Sequence, residues 1–153
     1  MEENTNLMQE KYMQFQMLQQ QIKDASGQAD EIVKRLAEVE SIILSIKEIS
    51  KVKSGNEILV PISNGIFIKA EAKETTEFLV NIGEGGVASK STEQVIQMLE
   101  KQKVELLNLQ TEVTKEAKVY ESELLLLQQE LAKINNSIKE SPKGEDEKDE
   151  YEL

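Results

Sequence analysis

Gly83-Glu84-Gly85-Gly86 is where this sequence comes nearest to a phosphate cradle, and the surrounding residues rule the reading out. A phosphate loop needs a strand before it and a helix N-terminus after it, and the triphosphate version also needs a Lys next to Ser or Thr. Here the glycines separate two short apolar runs and no GK[ST] follows, so the stretch reads as a turn with Glu84 in solvent. There is no Cys and no His among the 153 residues. Thiolate and imidazole nucleophiles, the commonest general base and the commonest metal ligands are therefore all missing. No catalytic residue, no metal site and no cofactor are expected, and the chain is not expected to be an enzyme. Asn135-Asn136-Ser137 has the spacing of a glycosylation sequon, but it falls in a helical pattern and reads as chance.

The chemistry left is the burial of apolar surface. Two long heptad patterns define what is already used. In the first, position a holds Met8, Phe15, Ile22, Ala29, Leu36 and Ile43, and position d holds Leu18, Ala25, Ile32, Val39 and Ile46, failing only at Lys11. In the second, a is Ile96, Lys103, Gln110, Ala117, Leu124, Leu131 and Ile138, and d is Leu99, Leu106, Val113, Tyr120, Leu127 and Ile134. At the polar a positions Lys103 and Gln110, the neighbours Val104, Leu107 and Leu109 are expected to rotate the contact face. Residue numbers that sum to 142 pair a of one helix with d of the other in nearly every layer, Ile43 with Leu99 and Phe15 with Leu127 among them. One antiparallel pair within the chain satisfies both patterns; the alternative is that each helix pairs with another chain. Ser26-Gly27 is a candidate hinge, with Gly27 at solvent position f. Ser91-Thr92-Glu93-Gln94 predicts a capped start for the second helix, with Ser91 capping and Gln94 reaching back.

Apolar residues off these stripes are left over. Leu7, Tyr12, Met13 and Met17 lie near the start of the first helix, and Leu125 and Leu126 lie near the end of the second. Exposed apolar clusters mark binding surfaces, and Met repacks around varied partners. These six are the candidate binding residues; packing against a neighbouring subunit is the competing use. A second off-stripe group, Ile42, Leu44 and Ile49 with Val95 and Met98, is assigned to subunit assembly.

Between the helices, EILVPIS-NG-IFIKAEA predicts a hairpin. Asn64-Gly65 signals a type I′ turn, in which both residues need positive φ. Pairing Ile62 with Phe67 and Pro61 with Ile68 would put Ile58, Val60, Ile62 and Phe67 on one face and Leu59, Pro61, Ile66 and Ile68 on the other. Both faces are then apolar and both require cover, while Pro61 marks an edge or a bulge. A second hairpin follows, from Glu77 to Ile82, a turn at 83–86, then Val87 to Lys90. Four such strands cannot bury their own surface. Ile58, Val60, Ile62, Phe67, Ile68, Phe78 and Val80 are therefore the candidate oligomerisation residues.

The expected organisation is a first coiled-coil helix at 1–50, a double-hairpin assembly segment at 51–90, a second helix at 91–140 and a disordered acidic tail at 141–153. Net charge is −11, from 29 acids against 18 Lys and Arg. No segment is basic, which argues against nucleic acid and against an anionic membrane surface as partners. No run approaches the ~20 apolar residues of a membrane span, and MEENTNLMQEKY has no signal-peptide build. A soluble, cytoplasmic chain is expected.

Helix, double hairpin, helix, with Leu59-Val60-Pro61-Ile62, then Gly65-x-Phe67-Ile68-Lys69-Ala70 and Gly83-x-Gly85 in the insert, resembles the α-class subunit of prefoldin, archaeal type. The linker strings carry the likeness over residues 1 to about 140. The resemblance implies an α+β chain: a long antiparallel two-helix coiled coil whose two inserted β-hairpins form part of an oligomeric β-barrel platform. It further implies an α2β4 hexamer with β-class prefoldin subunits. Its coiled-coil tips would hold unfolded client proteins without ATP and pass them to a group II chaperonin. A prefoldin-like structural filament or scaffold is the alternative.

Overall fold

The computed structural model describes residues 2–140, so the acidic tail at 141–153 lies outside the described residues. The element order is α1 (Glu2–Ile49), β1 (Glu57–Ser63), β2 (Ile66–Glu71), β3 (Glu77–Gly83), β4 (Gly86–Ser91) and α2 (Thr92–Glu140). At 1.5 Å per residue each helix is about 70 Å long. β1 pairs antiparallel with β2, and β3 with β4, as two separate two-stranded sheets. No helix among the described residues is long and apolar enough to cross a membrane.

The heptad positions are the positions the helices cover. Along α1 every a and d residue from Met8 to Ile46 is buried or half-buried, Lys11 included, with Ala25, Ile32, Val39 and Ile43 most enclosed. Along α2 the same holds from Ile96 to Ile134. Lys103 and Gln110 stay in the seam, and Val104, Leu107 and Leu109 remain exposed, so the expected rotation of the contact face does not occur. The reason is the length of the lysine stem. Its methylenes lie along the seam while Nζ reaches Glu40 on α1 at 2.8 Å.

The chain divides into two compact units. One is residues Ala29–Glu112, holding the hairpins and the adjoining parts of the helices. Its core is Val39 and Ile43 from α1 with Val95 and Leu99 from α2, and Ile46, Phe78, Val80 and Leu106 pack against it. Val95 thus belongs to the core and not to an assembly surface. Counting heptads alone sees one helix facing another; at this end β3 covers the helices as well, which widens the buried stripe. The other unit is Met1–Gln28 with Val113–Leu153. There Lys11 Nζ meets Glu130 Oε2 at 2.7 Å, which agrees with the antiparallel register.

Short hydroxyl bonds close the base of the hairpins. Ser50 Oγ and Thr92 Oγ1 lie 3.0 Å apart, joining the end of α1 to the start of α2. Thr75, the one buried polar residue described, donates its hydroxyl to the Val52 carbonyl at 2.8 Å. The Thr92 amide donates to the Thr76 carbonyl at 3.1 Å. α2 then starts as its sequence predicts: the Ser91 amide donates to Gln94 Oε1 at 3.0 Å and the Gln94 amide to Ser91 Oγ at 3.2 Å. This reciprocal pair satisfies two of the helix's unpaired N-terminal groups.

The first hairpin departs from its expected register. Ser63 faces Ile66, but Phe67 faces Pro61, Ile68 faces Val60 and Ala70 faces Ile58. The pairing shifts between Pro61 and Ser63, leaving Ile62 as the extra residue. Phe67 therefore shares a face with Leu59 and Pro61, while Val60, Ile58 and Ile68 share the other. Gly65 has φ of 77°, but Asn64 is not left-handed, so the expected type I′ turn does not form. The extra residue is a one-residue bulge, and an equivalent shift lies between Asn81 and Gly83 in the second hairpin. In the second hairpin the residues facing each other across the turn are Gly83 and Gly86, and Glu84 (φ 49°) and Gly85 (φ 77°) are both left-handed. The two positive φ values expected at Asn64-Gly65 are found here instead.

Candidate functional site

Two regions expose more apolar surface than a folded chain needs for itself. The first is the N-terminal end of α1 with the C-terminal end of α2. Leu7, Tyr12, Met13, Met17, Leu125 and Leu126 are all exposed there. The structure brings some of them together. Met17 and Leu126 line one groove of about 390 Å3 with the seam residues Leu18 and Leu127, rimmed by Glu123 and the Lys11 to Glu130 pair. Tyr12 and Met13 line a second groove of about 540 Å3, on α1 alone, with Met8 and the polar Thr5, Gln9 and Gln16. The helical wheel explains the division. Met17 is at c, on the g side of the helix, whereas Tyr12 at e lies on the other side of the seam and Met13 at f lies on the outer face beside the b residues Gln9 and Gln16. Leu7 and Leu125 line neither groove.

Charge around the first groove is organised by the ion pair. Glu130 is held below its usual carboxylate value, first by the hydrogen bond from Lys11 and then by that ammonium's charge. Nearby, Tyr120 fills a seam position and donates its hydroxyl to Glu116 at 3.0 Å, which raises the phenol above its usual value. Among the described residues there is no cluster of three or more acids arranged to hold a metal.

The second region is the pair of hairpins. In the first, Leu59, Val60, Ile62, Ile66, Phe67 and Ile68 are all exposed, on both faces. Ile58 is half-buried beside them. In the second, the faces differ. Phe78, Val80, Ala88 and Lys90 are half-buried, and Leu79, Ile82 and Val87 are exposed. Phe78 and Val80, expected on an assembly surface, pack instead against their own helices. Leu79, which is 80% exposed, takes the outward position that the sequence analysis passed over. A repeat would have signalled it. EFLVNIG at 77–83 repeats EILVPIS at 57–63 with Glu, Leu, Val and Ile in the same places, so the Leu at the third position faces outward in both copies.

The family model for prefoldin subunits matches residues 18–137, which takes in both hairpins and most of each helix. The chain belongs to the prefoldin family. It is 43% identical over 74 residues to prefoldin subunit alpha of Thermofilum pendens, covering 48% of this chain and 57% of that one. To prefoldin subunit alpha of Methanococcus maripaludis it is 31% identical over 83 residues, covering 52% and 58%. The matched stretches thus span somewhat more than half the length of these curated relatives. Two hairpins and these relatives make it an α-class prefoldin chain of the archaeal type. The fold is shared with a chain from the cryo-EM structure of filamentous PFD from Methanocaldococcus jannaschii, at a TM-score of 0.60 and 16% identity, covering 84% of this chain and 94% of that one.

Proposed function

We propose that this chain is a subunit of an ATP-independent holdase chaperone. The hairpins join it to β-class prefoldin subunits in an α2β4 platform, and the ends of the helices hold unfolded proteins for delivery to a group II chaperonin. The observation that carries the reading is the apolar surface left on the helix ends after the seam is satisfied: Met17 is 64% and Leu126 61% exposed, at positions that helix pairing does not use. Each such side chain contributes roughly 1.5–3 kcal/mol to a partner that buries it fully. Several weak contacts on several arms then add by avidity and require little client specificity. Met13, Met17, Leu125 and Leu126 changed together to Ser test this. Thermal unfolding and assembly mass are expected to stay nearly unchanged. Suppression of aggregation of a denatured test protein is expected to fall, most clearly when the β-class arms are shortened too. Full suppression by such an assembly would place client holding elsewhere.

A second reading, a filament, is favoured by the filamentous assembly of the similar chain from Methanocaldococcus jannaschii. Native mass spectrometry of this chain with and without a β-class partner separates the two. A closed hexamer supports the holdase, and open-ended growth of the chain alone supports the filament.

A further inference from the structure

We propose that the groove between Met17 and Leu126 takes unfolded segments in which an apolar side chain is followed by a cationic one. The inference rests on the holdase reading and names the client chemistry at one of its sites. The two grooves at the helix ends differ in charge. The Tyr12 and Met13 groove has no charged residue in its lining. The Met17 and Leu126 groove has three, Lys11, Glu123 and Glu130. Lys11 and Glu130 answer each other at 2.7 Å, which leaves the Glu123 carboxylate to face any occupant alone. The floor is apolar, from Met17, Leu18, Leu126 and Leu127. An occupant that buries Leu or Met on that floor brings the next residues of its chain past the rim. A Lys or Arg there meets Glu123, and an acid is repelled by it.

The setting has the same sign. Residues 1–28 with 113–140 hold nine acids and six bases, net −3. Approach of cationic segments is thus favoured before contact, and the attraction is screened by salt. The chain therefore discriminates among clients by their basic character at this groove, while the uncharged groove takes apolar segments without regard to charge.

Two labelled synthetic peptides with identical leucine spacing test the inference, one with arginines between the leucines and one with serines. Binding to the full chain, assembled with its partner subunits, is read by fluorescence anisotropy. At low salt the arginine peptide is expected to bind about two- to five-fold tighter, the range of an exposed ion pair. In 1 M salt, where the screening length is about 3 Å, the difference is expected to vanish. Glu123→Gln is expected to bring the arginine peptide down to the serine peptide. Leu126→Ser is expected to weaken the arginine peptide while far-ultraviolet circular dichroism shows the helices intact. Equal affinities at low salt would overturn the charge selection, and an unchanged preference in Glu123→Gln would overturn this groove as its source. Either failure alongside normal suppression of aggregation overturns this inference alone; loss of suppression in the unsubstituted assembly overturns the holdase reading itself.

Discussion

β1 with β2 and β3 with β4 are built alike. Each is a seven-residue strand, a two-residue gap and a six-residue strand, each shifts register two residues before the first strand ends, and in each the shift leaves an exposed Ile, Ile62 or Ile82. They differ in what covers them. The first hairpin shows apolar residues to solvent on both faces, whereas the second lays Phe78 and Val80 on its own helices and exposes only the far side. The difference is written in the second strand of each pair. Ile66-Phe67-Ile68 is bulky throughout, while Gly86-Val87-Ala88-Ser89 is small and runs straight into the cap of α2. One hairpin packs on the chain's own helices; the other leaves apolar side chains uncovered on both faces.

The largest effect is expected where the second hairpin meets the helices. Phe78→Ser empties volume against Val39, Ile43, Val95 and Leu99, and costs about 3 kcal/mol on the scale of large-to-small core changes. Thermal unfolding of the isolated chain should show it, and an unshifted transition would put both hairpins in one class. Next come Ile62→Ser and Phe67→Ser together. These side chains are 66% and 56% exposed, so the isolated chain is expected to unfold within about 0.5 kcal/mol of its parent, as surface changes do. Assembly with partner subunits is expected to be lost in native mass spectrometry; an intact assembly would remove the first hairpin from the interface.

A smaller contrast lies in the turns. Glu84 is left-handed at φ 49°, a region where a non-glycine side chain is strained by roughly 1 kcal/mol. Glu84→Gly is expected to raise stability by a few tenths up to about 1 kcal/mol. Asn64→Gly, at a residue without positive φ, is expected to bring no such gain, and equal effects in urea denaturation would sink the distinction.

The smallest effect concerns the link between the hairpins. Glu74 Oε1 accepts from the Thr76 hydroxyl at 2.6 Å and from the Thr76 and Thr75 amides. The hydrogen bonds of Thr76 are the main reason its carboxyl lies below the usual 4.5. A lowered folded value means that this stabilisation is complete above the unfolded value and is lost as pH falls through the folded one. Stability is therefore expected to decline below about pH 4.5 with a contribution from Glu74, and Glu74→Gln is expected to flatten that part of the profile. An unaltered profile would show that the carboxylate does not anchor the link.

The helices were legible because period and burial are the same information. Every a and d position from Met8 to Ile46 and from Ile96 to Ile134, even Lys11 and Lys103, is where the seam closes, while Ile138 is exposed, and Ser91 with Gln94 caps as its spacing demands. Val95 was not legible, since it lies off the heptad stripe and is enclosed where Val39 and Ile43 of the facing helix and the residues of β3 meet in one core. The hairpin faces were misassigned by one residue. An Asn-Gly pair does not fix the register, and a one-residue bulge at Ile62 moves every partner from Phe67 onward. At the helix ends, exposure followed from the heptad count, but the separation of Tyr12 and Met13 from Met17 and Leu126 required the wheel and the facing helix together. The bonds at the base, from Thr75, Thr76 and Glu74, leave no periodic trace, because they join a loop to backbone carbonyls and amides.

The hydroxyl pair of Ser50 and Thr92 also bears on how the molecule folds. It joins residues 42 apart in sequence, whereas the pair of Lys11 and Glu130 joins residues 119 apart. Loop closure scales as the logarithm of that separation, so the distant pair costs about 0.9 kcal/mol more if made first. Once the near pair is in place, each further layer of the seam closes only a short extra loop. The helices are therefore expected to zip from the hairpins outward, with the far ends ordering last. Pulse-labelled amide exchange during refolding would show protection appearing first near Ile43 and Leu99 and last near Phe15 and Leu127.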